Sequence, residues 1–110
     1  MLLEKEIKFK DYNFEKILLC PYCECNCLHH DIVIVFNRNE DAETTQVTTT
    51  INGKSKIELL PSEICGNPSY RRDGLIIDFL CEKCEKHSEL AIYQHKGQTF
   101  IKWKLDEVNK

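Results

Sequence analysis

From Asp31 onward the chain alternates short apolar runs with clusters of turn formers, which is the pattern of β-strands. Ile32-Val33-Ile34-Val35-Phe36 is a β-branched run of strand length, closed by Asn37-Arg38-Asn39. Gln46 to Ile51 predicts a second, more exposed strand. Asn52-Gly53 then predicts a two-residue hairpin turn, because both central residues of a type I′ turn need positive φ. Lys56 to Leu60 returns as its partner. Pro61 to Gly74 holds two prolines and two glycines and reads as a loop with its densest turn chemistry from Asn67 to Gly74. Strands resume at Leu75 to Leu80, Leu90 to Gln94 and Thr99 to Trp103, the last two joined through Lys96-Gly97.

Residues 1–19 follow neither period. Their apolar positions, Ile7, Phe9, Tyr12, Phe14, Ile17, Leu18 and Leu19, predict a short strand or helical turn that packs onto the main body. There is no internal repeat and no low-complexity stretch. The 110 residues therefore read as one domain, mostly β and antiparallel.

Composition narrows the functional classes. The formal net charge of -3 argues against a diffuse basic field for nucleic acid, though not against a local basic strip. No apolar run is long enough to cross a membrane as a helix. The start, Met1 to Glu6, turns charged at once and lacks the apolar core of a secretory signal. The expectation is a cytoplasmic chain with reduced thiols, where seven cysteines point to metal rather than disulfides.

Two Cys-x-x-Cys turns, Cys20-Pro21-Tyr22-Cys23 and Cys81-Glu82-Lys83-Cys84, can bring four thiolates onto one tetrahedral ion. Zinc is the expected ion, one per chain; iron fits the same four sulfurs. Each turn lies between β-like segments, and the arrangement resembles the zinc-ribbon class, in which two such knuckles on β-hairpins clamp a metal. That first knuckle often ends in glycine, where this chain has Glu24. The long gap between the knuckles implies an inserted β-hairpin or an enlarged sheet between Asp31 and Leu60. The whole chain is also similar to small uncharacterised zinc-ribbon proteins of bacteria and phages, a resemblance that implies no activity.

Cys25, Cys27, His29 and His30 follow the first knuckle closely and leave the ligand set open to substitution or to a second site. On a continued strand, Cys25, Cys27 and His29 share one face, which alone offers too few ligands for a second ion. Cys65 reads as a lone thiol.

Enzyme patterns fit less well. Cys-Pro-Tyr-Cys is also the glutaredoxin tetrad, but no helix-forming segment follows it to activate a thiol. His87-Ser88-Glu89 matches the start of a zinc-deaminase motif, yet the Pro-Cys-x-x-Cys that should follow is absent. His29, His30 and Asp31 beside two knuckles look superficially similar to an HNH-type metal-dependent nuclease, which remains the alternative. Four thiolates close a metal's shell, so the main site is expected to fold the protein rather than to catalyse. Function is then expected on the surface, as binding of a protein or nucleic acid. The candidate contacts are Arg71 and Arg72 in the loop, and His95 and Lys96 at a hairpin tip flanked by Tyr93, Phe100 and Trp103.

Overall fold

A computed structural model describes residues 2, 3 and 5–106, with side chains from 5 to 105. Met1 and Glu4 of the N-terminal segment, and residues 107–110, lie outside it. The described residues form strands and loops with no helix. The strands are β1 (Leu2–Leu3), β2 (Phe9–Tyr12), β3 (Glu15–Leu18), β4 (Leu28–Asn37), β5 (Thr44–Ile51), β6 (Lys54–Pro61), β7 (Gly74–Cys81), β8 (His87–His95) and β9 (Gln98–Asp106).

Seven of them make one antiparallel sheet in the order β1-β9-β8-β7-β4-β5-β6, and β2 and β3 pair as a separate hairpin. The β5-β6 hairpin between the knuckles enlarges the common sheet, β5 being hydrogen-bonded to β4. Both sequence-predicted turns take left-handed backbone at consecutive residues, Asn52 and Gly53 at φ 51° and 76°, Lys96 and Gly97 at 51° and 75°.

The sheet is covered on opposite faces at its two ends. Phe36, Val47 and Ile76 are buried together with Ile34, Leu60 and Cys65 packed against them. Leu90, Trp103 and Leu105 form a second cluster, joined by Ile7, Leu18, Tyr22, Leu28 and Phe79. Antiparallel partners share a face, and Ile77 pairs with Leu90 while Ile76 pairs with Ala91. Because Ile76 and Ile77 are consecutive, the two clusters lie on opposite faces. A β7 strand apolar on both sides follows, and its unbroken Leu75-Ile76-Ile77 run fits that position.

The loop between β6 and β7 covers the first cluster. Ile7 and Leu18 cover the second, Leu18 from the β2-β3 hairpin, whose tip leaves Phe14 fully exposed. Gly74 sets how closely the loop approaches. A Cβ placed there would stand 2.9 Å from Pro68 Cδ and closer still to the Asn67 side-chain oxygen, so only glycine lets the loop lie on β7.

Candidate metal centre

Antiparallel pairing of β4 with β7 brings the two knuckles together. Leu28, the first residue of β4, pairs with Cys81, the last of β7, and the Glu82 amide donates to the Cys27 carbonyl at 3.2 Å. The first knuckle therefore enters β4 at the end where the second leaves β7.

The two knuckles are the same loop built twice. In the first, the Cys20 amide donates to the Cys25 carbonyl at 2.9 Å and the Glu24 amide to the Cys20 carbonyl at 2.9 Å. In the second, the Cys81 amide donates to Lys86 at 3.1 Å and Glu85 to Cys81 at 3.0 Å. Glu24 and Glu85 both sit at φ 61°, in the left-handed region that favours glycine. The glycine missing after Cys23 has thus not changed the turn. Glutamate adopts the glycine conformation in both knuckles, at some cost in backbone strain.

The four predicted ligand sulfurs, Cys20, Cys23, Cys81 and Cys84, all lie within 4.8 Å of one another. Cys20 Sγ is 3.7 Å from Cys84 Sγ, and Cys23 Sγ is 3.6 Å from Cys81 Sγ. Four sulfurs placed tetrahedrally at metal–sulfur bonds of about 2.3 Å stand about 3.8 Å apart, so these separations fit a single ion. Cys20 and Cys81 are buried and their partners half-buried. Tyr22 of the first knuckle lies under Lys86 of the second, with the ammonium 4.9 Å from the ring centre.

Local fields divide the thiols. Burial pushes Cys20 up to about 12, against the pull of backbone amides at Cys23 and Tyr22. Burial also raises Cys84. Cys81 feels the same burial, yet hydrogen bonds from Cys25 and from the Cys84 and Lys83 amides bring it down to about 6. The Cys84 amide points at Cys81 Sγ from 3.5 Å. Cys23 is lowered chiefly by the Cys25 amide. An ion held by all four would displace whatever protons remain on them.

Cys25 and Cys27 join the same constellation. Cys25 Sγ lies 2.7 Å from Cys27 Sγ and 3.0 Å from Cys81 Sγ. They precede β4 in irregular backbone, so strand alternation does not govern them; the turn does. Cys65 stands far from this site, packed on the first cluster with its thiol donating to the Ser62 carbonyl at 3.4 Å.

The three residues of the nuclease alternative separate. His29 faces Glu82, with Nε2 2.9 Å from Oε1, and His30 is exposed. Asp31 falls at a β-bulge between His30 and Ile32 and gathers instead with Asp78 and His87. His87 Nδ1 is 3.1 Å from Asp78 Oδ2, and burial raises the Asp78 carboxyl despite that histidine.

The surface candidates also divide. Arg71 is engaged by Asp41 in a fork of 2.7 and 2.6 Å, which holds the Asp41 carboxyl below its usual range. Arg72 is exposed, its backbone rather than its guanidinium being held by Ser69 and Asn67. His95 is half-buried edge-on between Tyr70 and Phe100, at 6.3 and 5.9 Å. Phe100 stacks on Tyr93 at 5.6 Å, and the Lys102 ammonium sits 5.4 Å from the Tyr93 ring. Lys96 is exposed in the adjoining turn. Tyr70, in the loop before β7, is among the most exposed aromatic residues, at 82%.

No family model, no curated protein and no solved structure matches the chain. No helix among the described residues is long and apolar enough to cross a membrane.

Proposed function

We propose that this chain is a zinc-stapled β-module that binds unpaired nucleic acid through an aromatic and basic strip at the end of the sheet away from the metal. Zinc is the reading of an all-thiolate tetrahedral set, and four sulfurs leave it no open position for chemistry. The metal's part is structural, as in the zinc-ribbon class the knuckles resemble. β8 runs from the second knuckle to His95, so the strip lies about 20–27 Å along the strand from the knuckle at ordinary strand rise, from Tyr93 to His95.

The main support is the ladder Tyr70–His95–Phe100–Tyr93, with Lys102 over its last ring and Lys96 exposed in the adjoining turn. Exposed rings next to cations are what stacking on splayed bases requires, and the overall charge of -3 confines such binding to this strip. Arg71, spent on Asp41, is not assigned a contact.

Fluorescence anisotropy with labelled single-stranded oligonucleotides tests the reading. Wild-type protein is expected to bind with an affinity that falls as salt rises. Tyr70→Ala with Phe100→Ala is expected to weaken binding at least tenfold, at about 1–3 kcal/mol per stacked base. No binding at low salt, or unchanged binding by the double variant, overturns the nucleic-acid assignment and turns the search to protein partners. Incubation of the same oligonucleotides with magnesium or manganese tests the nuclease alternative, whose Asp31 lies with Asp78 and His87 rather than with His29 and His30.

A further inference from the structure

We infer that Cys25, Cys27 and Cys81 form a second thiolate site, which takes a soft divalent d¹⁰ ion and shares the Cys81 sulfur with the structural ion. The inference rests on the structural-metal reading of the first four cysteines and extends it from one ion to two.

By sequence spacing Cys25 and Cys27 supply only two donors, and a third is needed to hold an ion. The fold supplies it from the opposite knuckle, since Cys25 Sγ lies 3.0 Å from Cys81 Sγ and all three sulfurs fall within 4.8 Å of one another. The sulfur that completes the first tetrahedron is therefore also the third donor of a second set. Thiolate sulfur carries several lone pairs and can bridge two soft ions.

Charge favours the same arrangement. Three thiolates this close repel one another unless protons or a cation lie between them.

Room and access are present. At 2.7 and 3.0 Å the sulfurs are closer than the roughly 3.8 Å of a shared tetrahedral ion, so they must part by about an ångström. Cys25 and Cys27 stand in irregular backbone whose carbonyls are held by Cys20 and Glu82, which leaves side-chain rotation as the means of opening. Both face an open cleft of about 650 Å³, bordered by Phe9 and Lys10 on one side and Lys83 on the other. The fourth coordination position would point into this cleft, so the second ion is expected to exchange its outer ligand where the first cannot.

Metal stoichiometry by native mass spectrometry, on protein exchanged into excess cadmium under reducing conditions, tests the inference. Wild-type chain is expected to carry two ions, and the Cys25→Ser/Cys27→Ser variant one, with an unchanged circular dichroism spectrum. In cadmium-113 spectra, wild type should give two signals that split each other through the shared sulfur. One ion in both proteins, two ions in the variant, or two signals without mutual splitting would overturn it. A wild-type chain that binds no ion would instead sink the structural-metal reading beneath it.

Discussion

The two ends of the sheet solve one problem by different means. A single twisted sheet cannot bury both faces by itself, so each end needs a cover. At the metal end the cover is the N-terminal hairpin, lying over Leu90, Trp103 and Leu105, and the knuckles tie its following chain to β7 and β8. At the far end the cover is the loop from Ser62 to Asp73, over Phe36, Val47 and Ile76, and no thiol pair holds it.

Polar side chains hold it instead. Arg38 Nε donates to the Ala42 carbonyl and Nη1 to the Tyr70 carbonyl, both at 2.8 Å, while its amide donates to Asp73 Oδ1. The buried Ser69 hydroxyl donates to the Gln94 carbonyl at 2.7 Å and accepts from the Arg72 amide at 3.0 Å. Ser62 donates to Ala42 and accepts from buried Thr45. One end thus gathers its ties into one group of sulfurs that could hold metal; the other spreads its stability over many bonds of about 1 kcal/mol each.

Metal removal should break this contrast most strongly. Structural ions of this kind contribute on the order of 10 kcal/mol, comparable to the whole net stability of a small domain. Trp103, the one tryptophan, is buried in the metal-end cluster and reports on it directly. Chelation, or Cys81→Ser, is expected to shift its emission to the red and abolish cooperative unfolding. Unchanged Trp103 emission in metal-free protein would mean that the hairpin covers its cluster without the ion.

A cut at the other end should be partial. Ser69→Ala leaves the Gln94 carbonyl and the Arg72 amide without partners in a buried place, at a cost of about 2 kcal/mol. The denaturant midpoint should fall accordingly while metal stoichiometry stays at the wild-type value. Loss of metal in this variant would show that the two ends are not independent.

The same contrast explains what could be read from the sequence. The strands were legible because β-branched runs and the Asn52-Gly53 and Lys96-Gly97 turns are local signals. The gathering of Cys20, Cys23, Cys81 and Cys84 was legible because Cys-x-x-Cys spacing is a local signal. Two things were not. Which face each apolar residue takes depends on pairing partners distant in the chain, so nothing local announces that Ile76 and Ile77 serve different cores. The gathering of Cys25 with Cys81, and of Asp31 with Asp78 and His87, likewise depends on the register of β4 against β7 and on its bulge. Arg71 shows the converse case. It looked like a free surface charge because Asp41, its partner, lies 30 residues away.

The smallest expected effect sharpens the comparison from within the metal end. Glu85 holds φ 61° in the second knuckle, where a side chain crowds the backbone and glycine does not. Relief of that strain is worth roughly 1–2 kcal/mol, but glycine gives back part of it through the greater freedom of the unfolded chain. Glu85→Gly in metal-loaded protein is therefore expected to raise stability by up to about 1 kcal/mol, seen as a small rise in the thermal midpoint. Glu85 is the better position for the test, because Glu24 also pairs with Lys8 at 3.1 Å and its loss would mix two effects. A fall in the midpoint would mean that glutamate is favoured there for more than turn geometry. In that case the two knuckles, alike in backbone, would differ in what their side chains do.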